Sequence, residues 1–467
     1  MSKITFIDIN LELAIKETLD LNPDENVTTE NILLVKSLVV VSKGIFSLSG
    51  LEHAANLQKI TFTDNNIISL EPLKDLNKLF SIGVAANINL PLDEILKFEK
   101  ITELDLSLNN QMIGDIKKLS NLTELTTLWI NDTTLTDVSF LSSLNKLVTL
   151  QLNNNNIQSL SSLNSNELIG LWCRTNNITT LSDVKNFGKT QRIMASDNNL
   201  VDLKFVSSMK YLTHLYVDAN KLTSLHDVNN KTLTYINAAY NSLTNLDIDD
   251  APSLVTLLAP HNSIKNIDNI NSIPALTTLD LTENKLVDIS NLGELKKLSV
   301  LYTRENPNIS KYFLLSNTSM TQLITNNGGL SDELIKTLGQ SDTLVLLGVA
   351  DSNLTNVSFM KNYPAVKVLS LDSNNITDLT PLSTLSLQTL SCKFQKITLP
   401  DVKKGESTNI KLFNIVGTPP SIIFNTSGSL NNSLLVWDNS GSNSLTFSDK
   451  LSIGEFDGEV RQLVINA

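Results

Sequence analysis

The feature that most constrains this chain is a unit that recurs along most of its length. In the clearest copy, Ala275 to Leu286, the residues Leu276, Leu279, Leu281, Asn284 and Leu286 spell L-x-x-L-x-L-x-x-N-x-L. Beginning at Lys43, the slot of Asn284 recurs at Asn65, Asn87, Asn109, Thr133, Asn155, Asn176, Asn198, Asn220, Asn241, Asn262, Asn306, Gly328, Asn353, Asn374 and Gln395, in steps of 21 to 25 residues. One copy cannot fold alone, because a short strand and a turn bury too little apolar surface to offset chain entropy. Stacked copies share a core that lengthens instead of thickening.

This is the leucine-rich repeat pattern. It predicts an α/β repeat, a leucine-rich repeat solenoid or horseshoe, with an N-terminal helical cap and a small all-β domain at the C-terminal end. The two leucines of L-x-L point inward from a strand and the residue between them points outward. The buried Asn is expected to satisfy backbone groups where the chain leaves the strand. Thr133 and Gly328 replace that Asn, the first after a 24-residue step and the second before a 25-residue one, which predicts local bulges. Few leucines in GVAANINLPLDEI around Asn87 predict a looser turn. With Asn353 in the slot, Gly348 and Ala350 turn inward and thin the core.

The ends read differently. Over residues 1–36, Leu11, Ala14, Ile15 and Leu19 have helical spacing, Asn22-Pro23-Asp24 ends that helix, and a second short helix carries Ile32 and Val35 with Thr28 or Thr29 as N-cap. This segment caps the first repeat. The repeats span 37–398, about 16 to 17 turns of 21 to 25 residues. From 399 to 467 short β-prone runs alternate with Gly, Ser, Asn and Pro, which predicts an all-β domain. At roughly 70 residues it is marginal alone, so it is expected to fuse to the last repeat with Trp437 in its core.

Two features together resemble the internalin-type bacterial surface proteins. The first is the run of Phe6, Asp8, Leu11, Ala14, Ile15 and Leu19 followed by VTTENI and GIFSLSGLEHAANLQKI, which is similar to their cap and first repeat. The second is the 22-residue repeat with segments such as NNIISLEPLKDLNKL and NNITDLTPLSTL. The stretches ITLP, LVWDNS, SLTFSD and IGEFDGEVRQ look like the immunoglobulin-like module that follows the repeats in that family. The resemblance implies a secreted or surface-displayed protein without catalytic activity, binding a host or environmental macromolecule through the concave face. No family partner carries over residue by residue, and the chain has no LPXTG motif or basic GW module.

Charge narrows the partners. A net charge of -12, from 36 Lys and Arg against 48 Asp and Glu, disfavours nonspecific nucleic-acid or anionic-membrane binding. No apolar run approaches the roughly 20 residues that span a bilayer, so no membrane insertion is expected. No export signal opens the sequence; either the protein is cytosolic or the signal lies outside this sequence. Cys173 and Cys392 both stand in for inward leucines, ten turns apart, and at about 4.8 Å per strand they are far beyond disulfide reach. They read as buried free thiols.

Binding residues are sought in the outward slots, four before each Asn and flanked by those two and six before. Trp129, Gln151, Trp172, Met194, Tyr216, Leu258 and Tyr302 fall in the first, and Arg174, Arg192, His214, Tyr235 and Arg304 in the flanks. Tyr240 and His261 stand one before the Asn. Aromatics are only 5% of the chain, so two of three tryptophans in one slot mark a recognition surface. Large aromatic and arginine side chains anchor protein interfaces. The expected ligand is a protein, or a glycan, held by a monomer on the concave face.

Other chemistry is weak. LDIDD at 246–250 lacks the Gly and final Glu of a calcium loop, the four histidines have no metal-ligand spacing, and no nucleotide or hydrolase motif is present. No cofactor, metal or catalytic residue is expected. An intracellular scaffold, like the similar 22-residue repeat regulators of phosphatases, is the alternative function.

Overall fold

The computed structural model describes residues 2–110 and 114–466. It comprises two compact units, Met1–Leu222 and Thr223–Ala467.

The first unit opens with α1 (Ile9–Thr18), which buries Leu11, Ala14 and Ile15. Asp8 is its N-cap: one carboxylate oxygen accepts from the amides of Asn10 and Leu11, and the other from the Phe46 amide at 2.7 Å. One buried side chain thus caps the start of the helix and ties it to the first repeat. A one-turn 3-10 helix, Asn31–Leu34, follows, with Thr28 and Asn31 exchanging side-chain and backbone hydrogen bonds. Then come β1 (Ser37–Val41), β2 (Lys59–Thr63), β3 (Ser81–Gly83), β4 (Glu103–Asp105), β5 (Thr127–Trp129), β6 (Thr149–Gln151), β7 (Gly170–Trp172), β8 (Arg192–Met194) and β9 (His214–Tyr216). Each pairs in parallel with the next.

The second unit continues with β10 (Tyr235–Asn237), β11 (Thr256–Leu258), β12 (Thr278–Asp280), β13 (Val300–Tyr302), β14 (Gln322–Ile324), β15 (Leu346–Gly348), β16 (Val368–Ser370) and β17 (Thr389–Thr398), again parallel. The return legs hold single 3-10 turns, Glu71–Leu73 and Thr380–Thr384 with Pro near the start among them. The predicted repeat is therefore almost free of α-helix outside the cap.

In both units the repeat's leucines form the core. Leu279 and Leu281 are fully buried, and the half-buried Asp280 faces away between them. The Asn side chain has the expected role: Asn284 accepts from the Ile264 amide at 2.9 Å and donates to the carbonyls of Ala259 and Leu281 at 3.0 Å each. Gln395 does the same for Ile376 and Leu371. The residue just before the slot bends the chain back with a positive φ near 50 to 60° in turn after turn, from Ser42 to Phe394.

Two expectations about irregular turns, at Asn87 and at β15, are corrected. At Asn87 the turn is not loosened: its side chain donates to the carbonyls of Phe62, Val84 and Ala85, and Leu90, Leu92 and Ile95 are buried. At Gly328, which has no side-chain amide, the Tyr312 hydroxyl donates to the Gly328 carbonyl at 2.9 Å and meets the Thr325 hydroxyl. At β15 the core is not thinned. Leu347 pairs with Leu323 and Leu369, Leu347 and Val349 are fully buried, and Ser352 instead of Asn353 fills the slot. A one-residue slip would have turned two apolar side chains to solvent, and that cost sets the register. The insertion before Thr133 falls partly on residues 111–113, outside the described residues.

After β17 the second unit holds β18 (Val402–Lys403), β19 (Ser407–Asn409), β20 (Ser421–Phe424), β21 (Gly428–Asn431), β22 (Leu434–Trp437), β23 (Gly441–Leu451) and β24 (Gly454–Ile465). β23 and β24 form a long antiparallel hairpin, and β24 runs parallel to β17 from Leu390 to Thr398. This joins the end segment to the last repeat through a shared sheet. Trp437 is buried, its indole donating to Gln462 at 2.9 Å.

Candidate protein-recognition face

In the first unit, β5 to β9 place Trp129, Gln151, Trp172, Met194 and Tyr216 side by side in register. All five are half-buried, while Leu128, Leu150, Leu171, Ile193 and Leu215 in the same strands are fully buried. The alternation of the strand forces this: each inward leucine turns its neighbour outward.

Trp172 lies back along its own strand. A side chain added at Gly170 would stand 2.2 and 2.4 Å from its ring carbons Cζ3 and Cη2. Gly170 therefore leaves room for the indole to fold back against the strand. Its register partner on β8 is Arg192, which is in turn opposite His214 on β9. Burial and the Arg192 charge hold the His214 pKa below its usual value, and its Nδ1 lies 2.9 Å from the Thr213 hydroxyl. Arg174 follows Trp172 by two residues and, like Arg192, is exposed.

A second ladder braces this face. Asn131 accepts from the Asn153 amide at 2.9 Å, and Asn153 from the Arg174 amide at 2.9 Å. Asn131 also donates to Gln151 at 3.3 Å and to the Ser107 hydroxyl at 3.2 Å. The Trp129 Nε1 is buried without a hydrogen-bond partner among the described residues, a cost of about 1 to 3 kcal/mol. The ladder was legible as asparagines two before the slot on successive turns, although the sequence reading did not use it.

Composition holds another unused signal. The chain has four arginines, Arg174, Arg192, Arg304 and Arg461, and the first three occupy outward slots. Lysine carries most of the ion pairs, whereas Arg174 and Arg192 have none among the described residues. Arg461 pairs with Glu459.

The remaining residues lie on the second unit. Tyr235 and Tyr302 are half-buried on β10 and β13, and the Arg304 guanidinium stands 5.8 Å from the centre of the Tyr302 ring. Tyr240 is not in the row. It occupies the turn, 58% exposed with φ 52°, stacked on His261 at 4.1 Å, and His261 Nδ1 lies 2.8 Å from Glu283. Val300, Ile324, Leu346 and Val368 are further half-buried apolar side chains on β13 to β16; Ile324 is the register partner of Tyr302 and rests against Gly348. The register slip at β15 concealed this cluster.

Other sites carry structure instead of chemistry. Asp247 accepts from Ser224 and the Leu225 amide, and Asp249 faces His226. No group of three metal-ligating side chains occurs among the described residues, and no described helix is long and apolar enough to cross a membrane. Both cysteines are free and buried. Burial pushes the Cys173 thiol up to about 12 and the Cys392 thiol well above its usual range.

Inward leucines, a side-chain ladder and one parallel strand per turn define a leucine-rich repeat protein. Solved structures place it more closely. The functional domain of InlJ from Listeria monocytogenes, described as including a cysteine ladder, aligns over 98% of this chain and 97% of its own, with a TM-score of 0.68 and 21% identity. The internalin InlF of Listeria monocytogenes aligns over 82% and 95%, with a TM-score of 0.54 and 23% identity. TLR13 in complex with ssRNA13 aligns over 81% of this chain and 59% of its own, with a TM-score of 0.59 and 19% identity. At these identities the shared property is the fold. No protein-family model matches the sequence, and no curated protein matches it. With two cysteines, one in each unit, this chain has no cysteine ladder.

Proposed function

We propose that this chain is an internalin-like recognition protein, exported or displayed on a bacterial surface, that binds a protein partner without catalysis. The concave, outward-facing side of the repeats is the binding face, and Trp129, Trp172 and Tyr216 are its anchors in the first unit. The observation that carries this reading is that row itself: large rings kept half-open to solvent beside two arginines that have no ion pair among the described residues, over a core built from other side chains. Interfaces draw most of their energy from such side chains, and the bracing asparagines lower the ordering cost of binding. The full alignment with InlJ supports the internalin-like organisation, with a cap over 1–36, repeats over 37–398 and an immunoglobulin-like module over 399–467. Trp437, bonded across to β24, fits the core of that module.

The test is capture of proteins from host-cell surfaces by the purified chain, beside Trp172→Ala and Tyr216→Ala. The reading expects a partner retained by the native chain and lost by both variants while their melting temperatures hold. Equal capture by all three chains would reject it.

A further inference from the structure

We propose that the Trp172 seat takes an extended peptide bearing carboxylates, with an apolar side chain over the indole and acidic side chains reaching Arg174 and Arg192. This rests on the recognition reading above and specifies the partner's chemistry. Because Gly170 has no side chain, the indole can fold back against it, and the half-buried ring keeps part of its surface open to solvent. Arg192 is the register partner of Gly170, and Arg174 stands four residues beyond Gly170 along the chain. At about 3.3 Å per residue the backbone positions that carry the two arginines therefore lie roughly 13 Å apart along the strand direction on either side of Trp172, the reach of about four residues of an extended peptide.

The choice of arginine points the same way. The guanidinium fork matches a carboxylate with two parallel hydrogen bonds, which lysine cannot do. In a chain of net charge -12, acidic side chains are abundant, yet neither arginine is paired with one among the described residues. The Asn153 side-chain oxygen accepts from the Arg174 backbone amide at 2.9 Å, fixing the base of that side chain. His214 beside Arg192 has its pKa lowered by burial and by that arginine, so at neutral pH it adds a hydrogen-bonding ring and no third cation. Two local positive charges suit one or two carboxylates. A polyanion such as RNA or a sulfated glycan would meet the repulsion of the whole chain.

The test is selection of random heptapeptides displayed on phage by the full chain, by the Arg174→Gln/Arg192→Gln double variant and by Trp172→Ala. Both arginines are exposed, so the double variant keeps its fold, which circular dichroism checks. The native chain should enrich Asp and Glu around an apolar residue. The double variant should lose the acidic preference, keep the apolar one, and bind a native-selected peptide at least tenfold more weakly. Peptides selected through Trp172 without acidic enrichment would overturn the carboxylate proposal alone, as would an acidic preference that survives in the double variant. Failure to select any peptide, or arginine-dependent binding of single-stranded RNA or heparin in its place, would also overturn it. Selection unaffected by Trp172→Ala would reject the recognition reading as well.

Discussion

Leu171 and Trp172 are neighbours on β7, and truncating each to alanine should give opposite results. Leu171 is fully buried, so Leu171→Ala removes a core side chain and leaves a cavity, a loss of about 3 kcal/mol. The unit that holds it spans Met1–Leu222. For a folding unit of that size, roughly 2 to 4 °C of melting temperature is lost per kcal/mol, so the variant should melt about 6 to 12 °C lower. Trp172 is half-buried, with Gly170 beneath its ring. Its truncation removes a side chain already partly open to solvent and leaves no enclosed cavity, so the cost should stay within about 1 kcal/mol. Differential scanning calorimetry of both variants, paired with partner capture, reads the contrast. Trp172→Ala should melt near the native chain and fail to capture; Leu171→Ala should melt early. A Trp172→Ala chain that melts as low as Leu171→Ala would show that the ring is part of the core and would refute the outward assignment.

Further outcomes follow from the same geometry. Gly170→Val fills the seat of the indole, and should reduce partner binding about tenfold or more in a titration while thermal unfolding changes little. Asn284→Ala leaves the buried Ile264 amide unpaired, while the Ala259 and Leu281 carbonyls keep Asn262 and Asn306 as donors; the urea midpoint should fall by the equivalent of about 1 to 3 kcal/mol. The buried thiols should be inert to a thiol reagent at pH 8 and give two equivalents in denaturant. Because burial raises the Cys173 pKa to about 12, above the roughly 8.5 of an unfolded thiol, its contribution to stability is complete below about pH 8.5 and is lost as pH climbs toward 12. A urea series from pH 8 to 11 checks that sign.

The repeat was readable because its signal is periodic: L-x-L alternation and the Asn slot recur often enough that a single irregular turn does not hide them. The cap was readable from helical spacing at Leu11, Ala14 and Ile15. Register failed where two rules disagreed. At β15 the asparagine at 353 suggested one frame, while Leu347 and Val349 required another, and burial of two large apolar side chains outweighs the position of one amide. The outward row was visible once the slots were aligned, but the seat under Trp172 was not. It depends on a glycine two residues earlier on the same face, which matters only when the ring folds back over it. The Asn131 and Asn153 ladder joins residues 21 and 22 apart, and the Tyr240 and His261 stack joins turns in the same way. Such links appear only when successive turns are read as columns.

The central claim is that the rings of the first unit face outward to meet a partner, and hydroxyl-radical footprinting with and without the captured partner tests it most directly. Trp172, Met194 and Tyr216 should react readily in the free chain and lose reactivity in the complex. Unchanged reactivity at these three, with protection confined to the 3-10 turns or to the C-terminal strands, would contradict the account.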